Sequence, residues 1–292
     1  MAIIDFCKMH GLGNDYLYVD LRDGRYHQVD WPQLALKICD RHFGVGADGV
    51  ITIGFSERAD ARMIIYNADG SRSEMCGNGL RALSKWLFDH GWSGKNQIIE
   101  TDAGLLYPEV VEERDGRAMT IRVNMGAPQW DPRPWGVTSS GTDSWIDRLI
   151  PLTDTNSIVA TFVSMGNPHL VTFGPLWDIG KMGHLGPQLE RHGWFPQRVN
   201  VHSVEVIDAH HLSMRHWERG AGQTLACGTG VAGAAAAAIR QGLAHSPLTI
   251  TVPGGELLAE WGGKSTDPVF LTGPAEEVFS GTYAWDESIT PA

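Results

Sequence analysis

Only four cysteines, Cys7, Cys39, Cys76 and Cys227, are spread over the 292 residues of the chain. So sparse a set excludes the disulfide framework of a small secreted domain and points to free thiols. Long hydrophobic runs are also lacking. The longest, Val231 to Ile239, holds nine mostly small residues, against about 20 needed to span a bilayer. Bases are outnumbered, 23 Lys and Arg against 34 Asp and Glu, and the net charge of −11 argues against nucleic acid or an anionic membrane as partner. The opening Met-Ala-Ile-Ile-Asp-Phe-Cys-Lys puts an acid and a base where an export signal carries its apolar run. A cytoplasmic location is the expectation.

Several catalytic signatures are missing. Twelve histidines show no H-E-x-x-H, the cysteines no C-x2-C, and a metal is not expected. No G-x-S-x-G elbow exists, which removes the simplest serine hydrolase. Gly44-Val-Gly-Ala-Asp-Gly49 matches G-x-G-x-x-G, with Asp69 twenty residues on, but a dinucleotide fingerprint must follow a strand and open a helix. Here a helix end precedes it and a strand, Val50 to Ile53, follows, so a loop is expected. His210, His211 and His216, set among charges, are expected to face solvent. His169 is read either as a neighbour of a functional cleft or as a turn stabiliser.

Hydrophobic residues at 42% suffice for a core in each of two domains of about 150 residues. Strands are expected at Ala2 to Phe6, Tyr16 to Asp20, Val50 to Ile53 and Met63 to Tyr66, with a helix over Pro32 to Asp40. Leu80, Leu83 and Leu87 mark a helix closed by Gly91, and alternation from Ile98 to Val123 around Asp115-Gly116 suggests a hairpin. The Pro- and Gly-rich stretch Pro128 to Asp147 suggests a boundary. Beyond it come a strand at Ile158 to Ser164, a helix at Ile179 to His192, and strands at Val201 to Ile207 and Leu212 to Trp217. An alanine-rich helix ended by Gly242 and strands at Leu248 to Val252 and Glu256 to Trp261 follow, and Glu277 to Phe279 is expected to return to the first half.

The chain also repeats itself. Asn67-Ala-Asp-Gly-Ser-Arg-Ser-Glu-Met-Cys76-Gly-Asn-Gly79 has a counterpart in Glu218-Arg-Gly-Ala-Gly-Gln-Thr-Leu-Ala-Cys227-Gly-Thr-Gly230, displaced by 227 − 76 = 151 residues. Met63 and Met214 share that offset, and Gly13-Asn14 finds Gly166-Asn167 at 167 − 14 = 153. A thiol at a helix start lies beside unpaired N–H groups and the positive end of the macrodipole, which lowers its pKa toward neutrality and makes a usable base. The glycines after it admit an anion such as a carboxylate. If two such loops converge on one ligand, one sulfur can take the proton from a carbon acid and the other return one on the opposite face, inverting a stereocentre without a cofactor. Two unrelated structural cysteines, a redox dithiol or a non-catalytic amino-acid binder are the alternatives. Cys7 in a strand and Cys39 at a helix end are read as core thiols. Asn14, Asn67, Asn167 and Asn200 sit at turn signals, and Glu218-Arg219 suits a ligand carrying both an ammonium and a carboxylate.

Lys8-Met-His-Gly-Leu-Gly-Asn14-Asp, Asn67-Ala-Asp-Gly, Cys76-Gly-Asn-Gly79, Met165-Gly-Asn167-Pro-His and Glu218-Arg-Gly-Ala-Gly-x-Thr-x-Ala-Cys227-Gly-Thr-Gly together resemble diaminopimelate epimerase, from about residue 3 to residue 275. The resemblance implies an α/β (α+β) fold of two pseudo-symmetric domains, each a mainly antiparallel sheet or barrel wrapped around a central helix, with the active site in the cleft between them. Residues 1–125, rejoined by 274–292, would be one half and 126–273 the other. It implies cofactor-independent epimerisation of LL-2,6-diaminopimelate to the meso form for lysine and cell-wall precursors, with neither pyridoxal phosphate nor metal. Cys76 and Cys227 would be base and acid. Gly77, Asn78, Gly228 and Thr229 would hold the α-carboxylate, and Asn14, Asn67, Asn167, Asn200, Glu218 and Arg219 the distal end. Gly49 stands where some members carry Gln. Proline and hydroxyproline racemases share the two-thiol logic but place a histidine where Asn78 stands, and a racemase of another amino acid is the closest rival. The small substrate is the expected partner, and a homodimer is left open.

Overall fold

The computed structural model describes residues 2–137, 144–153 and 156–286. Part of the expected boundary stretch, 138–143, lies outside the described residues, as does the end of the segment expected to rejoin the first half.

The first part of the chain runs β1 (Ala2–Gly11), β2 (Asn14–Asp20), α1 (Trp31–Ile38), β3 (Gly49–Gly54), β4 (Ala61–Asn67), β5 (Arg72–Ser73), α2 (Gly77–Asp89), β6 (Ile99–Thr101), β7 (Gly104–Leu106), β8 (Glu109–Arg114) and β9 (Arg117–Asn124). A 3-10 turn (Arg133–Trp135) follows. Next come β10 (Arg148–Thr153), β11 (Asn156–Ser164), β12 (Pro168–Phe173), α3 (Ile179–Glu190), β13 (Asn200–Asp208), β14 (His211–Glu218), β15 (Gly222–Gln223) and α4 (Gly228–Arg240). The last strands are β16 (Leu248–Val252), β17 (Gly255–Trp261), β18 (Val269–Pro274) and β19 (Glu276–Trp285). The chain divides into two compact units, Met1–Val123 with Gly273–Ala292, and Asn124–Thr272.

In the first unit the sheet order is β19-β1-β2-β3-β4-β6-β7, with β5 on β4. Pairing is antiparallel except at β2·β3 and β4·β6. Helix α1 starts as its sequence dictates, with the Asp30 carboxylate accepting from the Gln33 N–H at 3.1 Å and a proline in the first turn. Its Leu34, Ala35 and Ile38 enter a core with Leu17, Val19 and Val50. Helix α2 packs on β1, β2 and β19, burying Leu80, Leu83 and Leu87 completely, each stabilising by about 1.5–3 kcal/mol. The stretch expected to be one hairpin is two. Asp115 (φ 51°) and Gly116 (φ 74°) turn β8 into β9, while β6 and β7 close a separate one at Gly104 (φ 115°). The left-handed backbone at Asp115-Gly116 suits a two-residue hairpin turn.

The second unit orders its strands β10-β11-β12-β13-β14-β16-β17-β18, with β15 on β14. Its central helix α4 meets β11, β12, β13, β16 and β17. Alanine at positions 234–238 lets the sheet close in, and all five are fully buried. A second core gathers Phe162, Leu170, Leu185 and Leu189 with Trp145.

Strand register makes the two units pseudo-symmetric. Ile51 pairs with Ile65 in the first and His202 with His216 in the second, both displaced by 151. The same displacement carries Ala61↔Ile99 onto Leu212↔Ile250 and Ile99↔Leu106 onto Ile250↔Leu257. Tyr16↔Gly49 becomes His169↔Asn200, displaced by 153 and 151. The fold is therefore α+β with two pseudo-symmetric domains, each a largely antiparallel sheet on its own helix.

Candidate active site

Each unit places one thiol at the start of its central helix. Cys76 caps α2 with extended backbone (φ −139°, ψ 115°), and the Gly79 N–H donates to its Sγ at 3.4 Å. That Sγ lies 3.5 Å from Asn14 Oδ1, which also accepts from Asn78 Nδ2 at 3.2 Å. Asn14 is itself held: its Nδ2 donates to Asp48 Oδ2 at 2.7 Å, and Asp48 accepts from Arg41 at 2.9 Å. Behind it, Asp15 takes Lys8 at 2.9 Å and Arg41 at 2.7 Å. Burial works against that carboxylate, but the two cations hold it below the usual range. Tyr16 presses its hydroxyl on the Cys76 sulfur. Burial first, then that sulfur, push the phenol well above its ordinary pKa, so it keeps a proton to share with the thiol. Under the loop, fully buried Arg81 donates to Asn78 Oδ1 at 2.7 Å, and burial draws its pKa down to about 10.

Asn67 behaves differently from the other asparagines of this unit. Its Nδ2 donates to Ser71 Oγ at 2.9 Å, closing the Asn-Ala-Asp-Gly turn. Its backbone stands opposite Gly49, where a Cβ would meet Tyr66 O at 2.4 Å. Gly44 to Asp48 form the loop between α1 and β3, and the dinucleotide reading is set aside.

In the second unit Cys227 caps α4 (φ −124°, ψ 100°), its Sγ 3.7 Å from Thr229 Oγ1. Glu218, which accepts from the Thr224 hydroxyl, lies against the sulfur. The expectation of a thiol lowered toward neutrality fails here. Full burial and then the Glu218 carboxylate push the Cys227 pKa well above its ordinary value, and the Gly230 amide and Thr229 hydroxyl do not make up the difference. A partial dipole charge cannot outweigh desolvation plus a neighbouring anion.

The expected ligand residues cluster on β12 to β14. Asn200 Nδ2 donates to Pro168 O at 2.9 Å and its Oδ1 accepts from the Arg219 N–H at 2.9 Å. The Arg219 guanidinium donates to Gln197 O at 2.9 Å. Asn167 Oδ1 accepts from His169 Nε2 at 2.8 Å, so His169 does stabilise its turn. It is also fully buried, and burial, then Arg219, take its pKa down to about 3.

His210 is exposed and His211 partly so, as expected, but His216 is buried to 1% exposure. Leu212, Met214 and His216 alternate onto the inner face of β14, and period 2 overrides the charge of neighbouring residues. Glu190 of α3 was not singled out by its sequence context. Buried at 2% exposure, it accepts from Trp217 Nε1 at 2.7 Å and the Gly220 N–H at 3.1 Å, and so sets the loop that carries Glu218 and Arg219. Cys7 and Cys39 are buried, each pushed up to about 12 chiefly by desolvation, as inert core thiols should be.

Among the described residues no helix is long and apolar enough to cross a membrane. The fold recurs in solved structures of low identity. A phenazine biosynthesis protein of the PhzF family from Bacillus anthracis matches with TM-score 0.71 and 16% identity over 98% of this chain and 100% of that one. A hydroxyproline epimerase from Agrobacterium vitis matches with TM-score 0.70 and 14% identity over 98% and 94%. In sequence, diaminopimelate epimerase from Acetivibrio thermocellus is 44% identical over 279 residues, 94% of this chain and 97% of that protein. The same enzyme from Pelotomaculum thermopropionicum is 42% identical over 96% and 99%. The sequence profile of that family matches residues 6–131 and 161–278, taking in both cysteine loops and every asparagine described above, and the chain belongs to the diaminopimelate epimerase family.

Proposed function

We propose that the protein epimerises LL-2,6-diaminopimelate to meso-2,6-diaminopimelate in the cytoplasm, using Cys76 and Cys227 as base and acid on opposite faces of one carbon. The observation that carries this reading is the doubled seat: each unit, taken by itself, holds a thiol at the N-cap of its central helix with a C-G-x-G turn beneath it. A chemistry that needs two proton-transfer groups of the same kind is the natural use of such a repeat.

Cys227, held protonated by burial and Glu218, enters the turnover as the thiol. Cys76 then takes the α-proton. Its Sγ is oriented by Asn14 and the Gly79 N–H, and Tyr16 O–H shares a proton with it as charge leaves or returns. As the Cα–H bond breaks, charge spreads onto the α-carboxylate, which Gly77-Asn78 and Gly228-Thr229 receive with their backbone N–H groups. Cys227 delivers its proton to the other face, and the configuration inverts. The reverse reaction exchanges the two roles. Asn67, Asn167, Asn200, Glu218 and Arg219 take the distal ammonium and carboxylate, a pair that a simple amino acid lacks.

The test is solvent-deuterium exchange on LL-diaminopimelate. Cys76→Ala and Cys227→Ala should each abolish formation of the meso isomer while the circular dichroism spectrum stays unchanged. Inversion with normal deuterium incorporation in either variant ends the two-base scheme. Equal turnover on proline or other simple amino acids would favour the racemase alternative.

A further inference from the structure

The two units differ where their registers agree. Against Tyr16, Ile51 and Ile65 of the first unit, the second sets His169, His202 and His216. Ile51 shows that a hydrocarbon suffices to pack the underside of a cysteine loop, for its Cδ1 would lie 2.7 Å from a Cβ at Gly79. At Gly230 the corresponding neighbours are His202 Cε1 at 2.4 Å and Nε2 at 2.8 Å, with Cys227 Sγ at 3.1 Å. Glycine at 230 admits an imidazole against the sulfur, which packing alone does not require.

We propose that His169, His202 and Cys227 form a zinc site through which the ion reversibly sequesters the Cys227 thiol. The His169 and His202 nitrogens and the Cys227 sulfur lie within 4.8 Å of one another, all buried. Tetrahedral zinc, with Zn–N about 2.0–2.1 Å and Zn–S about 2.3 Å, sets such donors roughly 3.3–3.6 Å apart, so the two ring nitrogens, 2.9 Å apart across their hydrogen bond, open slightly and a donor nearer the 4.8 Å limit moves in. Two neutral imidazoles and a thiolate form a donor set that favours zinc over hard cations such as magnesium. Burial keeps both imidazoles neutral, with their pKa values below the ordinary one.

The hydrogen bonds fix which nitrogens are free to bind. Asn167 Oδ1 can only accept, so His169 Nε2 carries the proton of that 2.8 Å bond. His169 Nδ1 is then a lone pair, and it accepts from His202 Nε2 at 2.9 Å. His202 Nδ1 is left as a buried acceptor without a hydrogen-bond partner among the described residues, and so is open to take a proton. On zinc binding, the His202 proton moves from Nε2 to that vacant Nδ1, and the thiol proton leaves to solvent. The ion then sits between His169 Nδ1, His202 Nε2 and the Cys227 thiolate. A ligating histidine that donates its other N–H to a fixed oxygen, as His169 does to Asn167, is the usual outer support of a zinc site.

Metal binding goes beyond the epimerase reading, whereas inhibition rests on Cys227 being catalytic. The full chain is titrated with Co2+ and then Zn2+. One cobalt per chain with a thiolate-to-metal charge-transfer band is expected, displaced by zinc, together with loss of turnover at the same zinc midpoint and recovery on adding EDTA. His202→Ile, which copies the first unit, should leave basal turnover in place and weaken zinc about tenfold or more. Cys227→Ser should abolish the band, and this second variant guards against a folding failure in the first. No band, or zinc binding indifferent to both substitutions, overturns the site. Binding that depends on both residues while turnover persists upholds the site and refutes the catalytic role of Cys227.

Discussion

Gly230→Ala measures how tightly the second cysteine loop is built, with Gly79→Ala as its internal control. A Cβ at 230 lands 2.4 and 2.8 Å from atoms of the His202 ring, and that ring is held by its 2.9 Å bond to His169. At 79 the atoms in the way are Ile51 Cδ1 at 2.7 Å and Met63 Cε at 3.2 Å, both ends of flexible chains. Overpacking a rigid neighbour costs about 1–3 kcal/mol, and a lost buried hydrogen bond adds about 0.5–1.5 kcal/mol. Replacing a helical glycine returns about 0.5–1 kcal/mol. The net loss is about 0.5–4 kcal/mol for Gly230→Ala and near zero for Gly79→Ala. For a chain of this size that separates the melting temperatures by about 1–7 °C, readable by scanning calorimetry of both variants. Equal melting temperatures would mean that the His202 ring yields without cost and that the two loops are interchangeable in packing.

The buried histidines predict an acid weakness. His169 and His216 have folded pKa values near 3 and 4, below the unfolded value of about 6.5. Their stabilisation is thus complete above about pH 6.5 and is lost as pH falls toward 4, by up to about 1.4 kcal/mol per pH unit for each. Urea midpoints between pH 7 and 4.5 should fall, and His216→Leu should flatten that slope; an unchanged slope would mean His216 is not a buried neutral imidazole. Glu218→Gln removes the anion beside Cys227, so alkylation of that thiol by iodoacetamide at pH 8 should quicken in the Cys76→Ala background. A slower or equal rate would show that Glu218 does not raise the Cys227 pKa.

Much of this organisation is legible in the residues. Asp30 and Pro32 announce α1, Asp115-Gly116 announces a turn that needs two positive φ values, and the offset of 151 announces a doubled fold whose strand pairs obey the same number. What escapes is long-range or thermodynamic. Glu190 has no local motif, because its partners at Trp217 and Gly220 lie about a tenth of the chain away. The acidity of Cys227 turns on how deeply the sulfur is buried, and no spacing encodes that depth. His216 was readable from its alternation with Leu212 and Met214, but the flanking Arg215 and Glu218 suggested a wet strand. Tyr16 could have been found by carrying His169 back by 153 residues.

Strand β19 pairs with β1 from Ala2 opposite Trp285 to His10 opposite Glu276. On the ribosome, therefore, the half translated first must wait for the segment translated late. Residues 124–272 can assemble as soon as they emerge, whereas β1 stays an open edge until the segment through Trp285 has cleared the exit tunnel. The order of synthesis and the order of completion are therefore opposite.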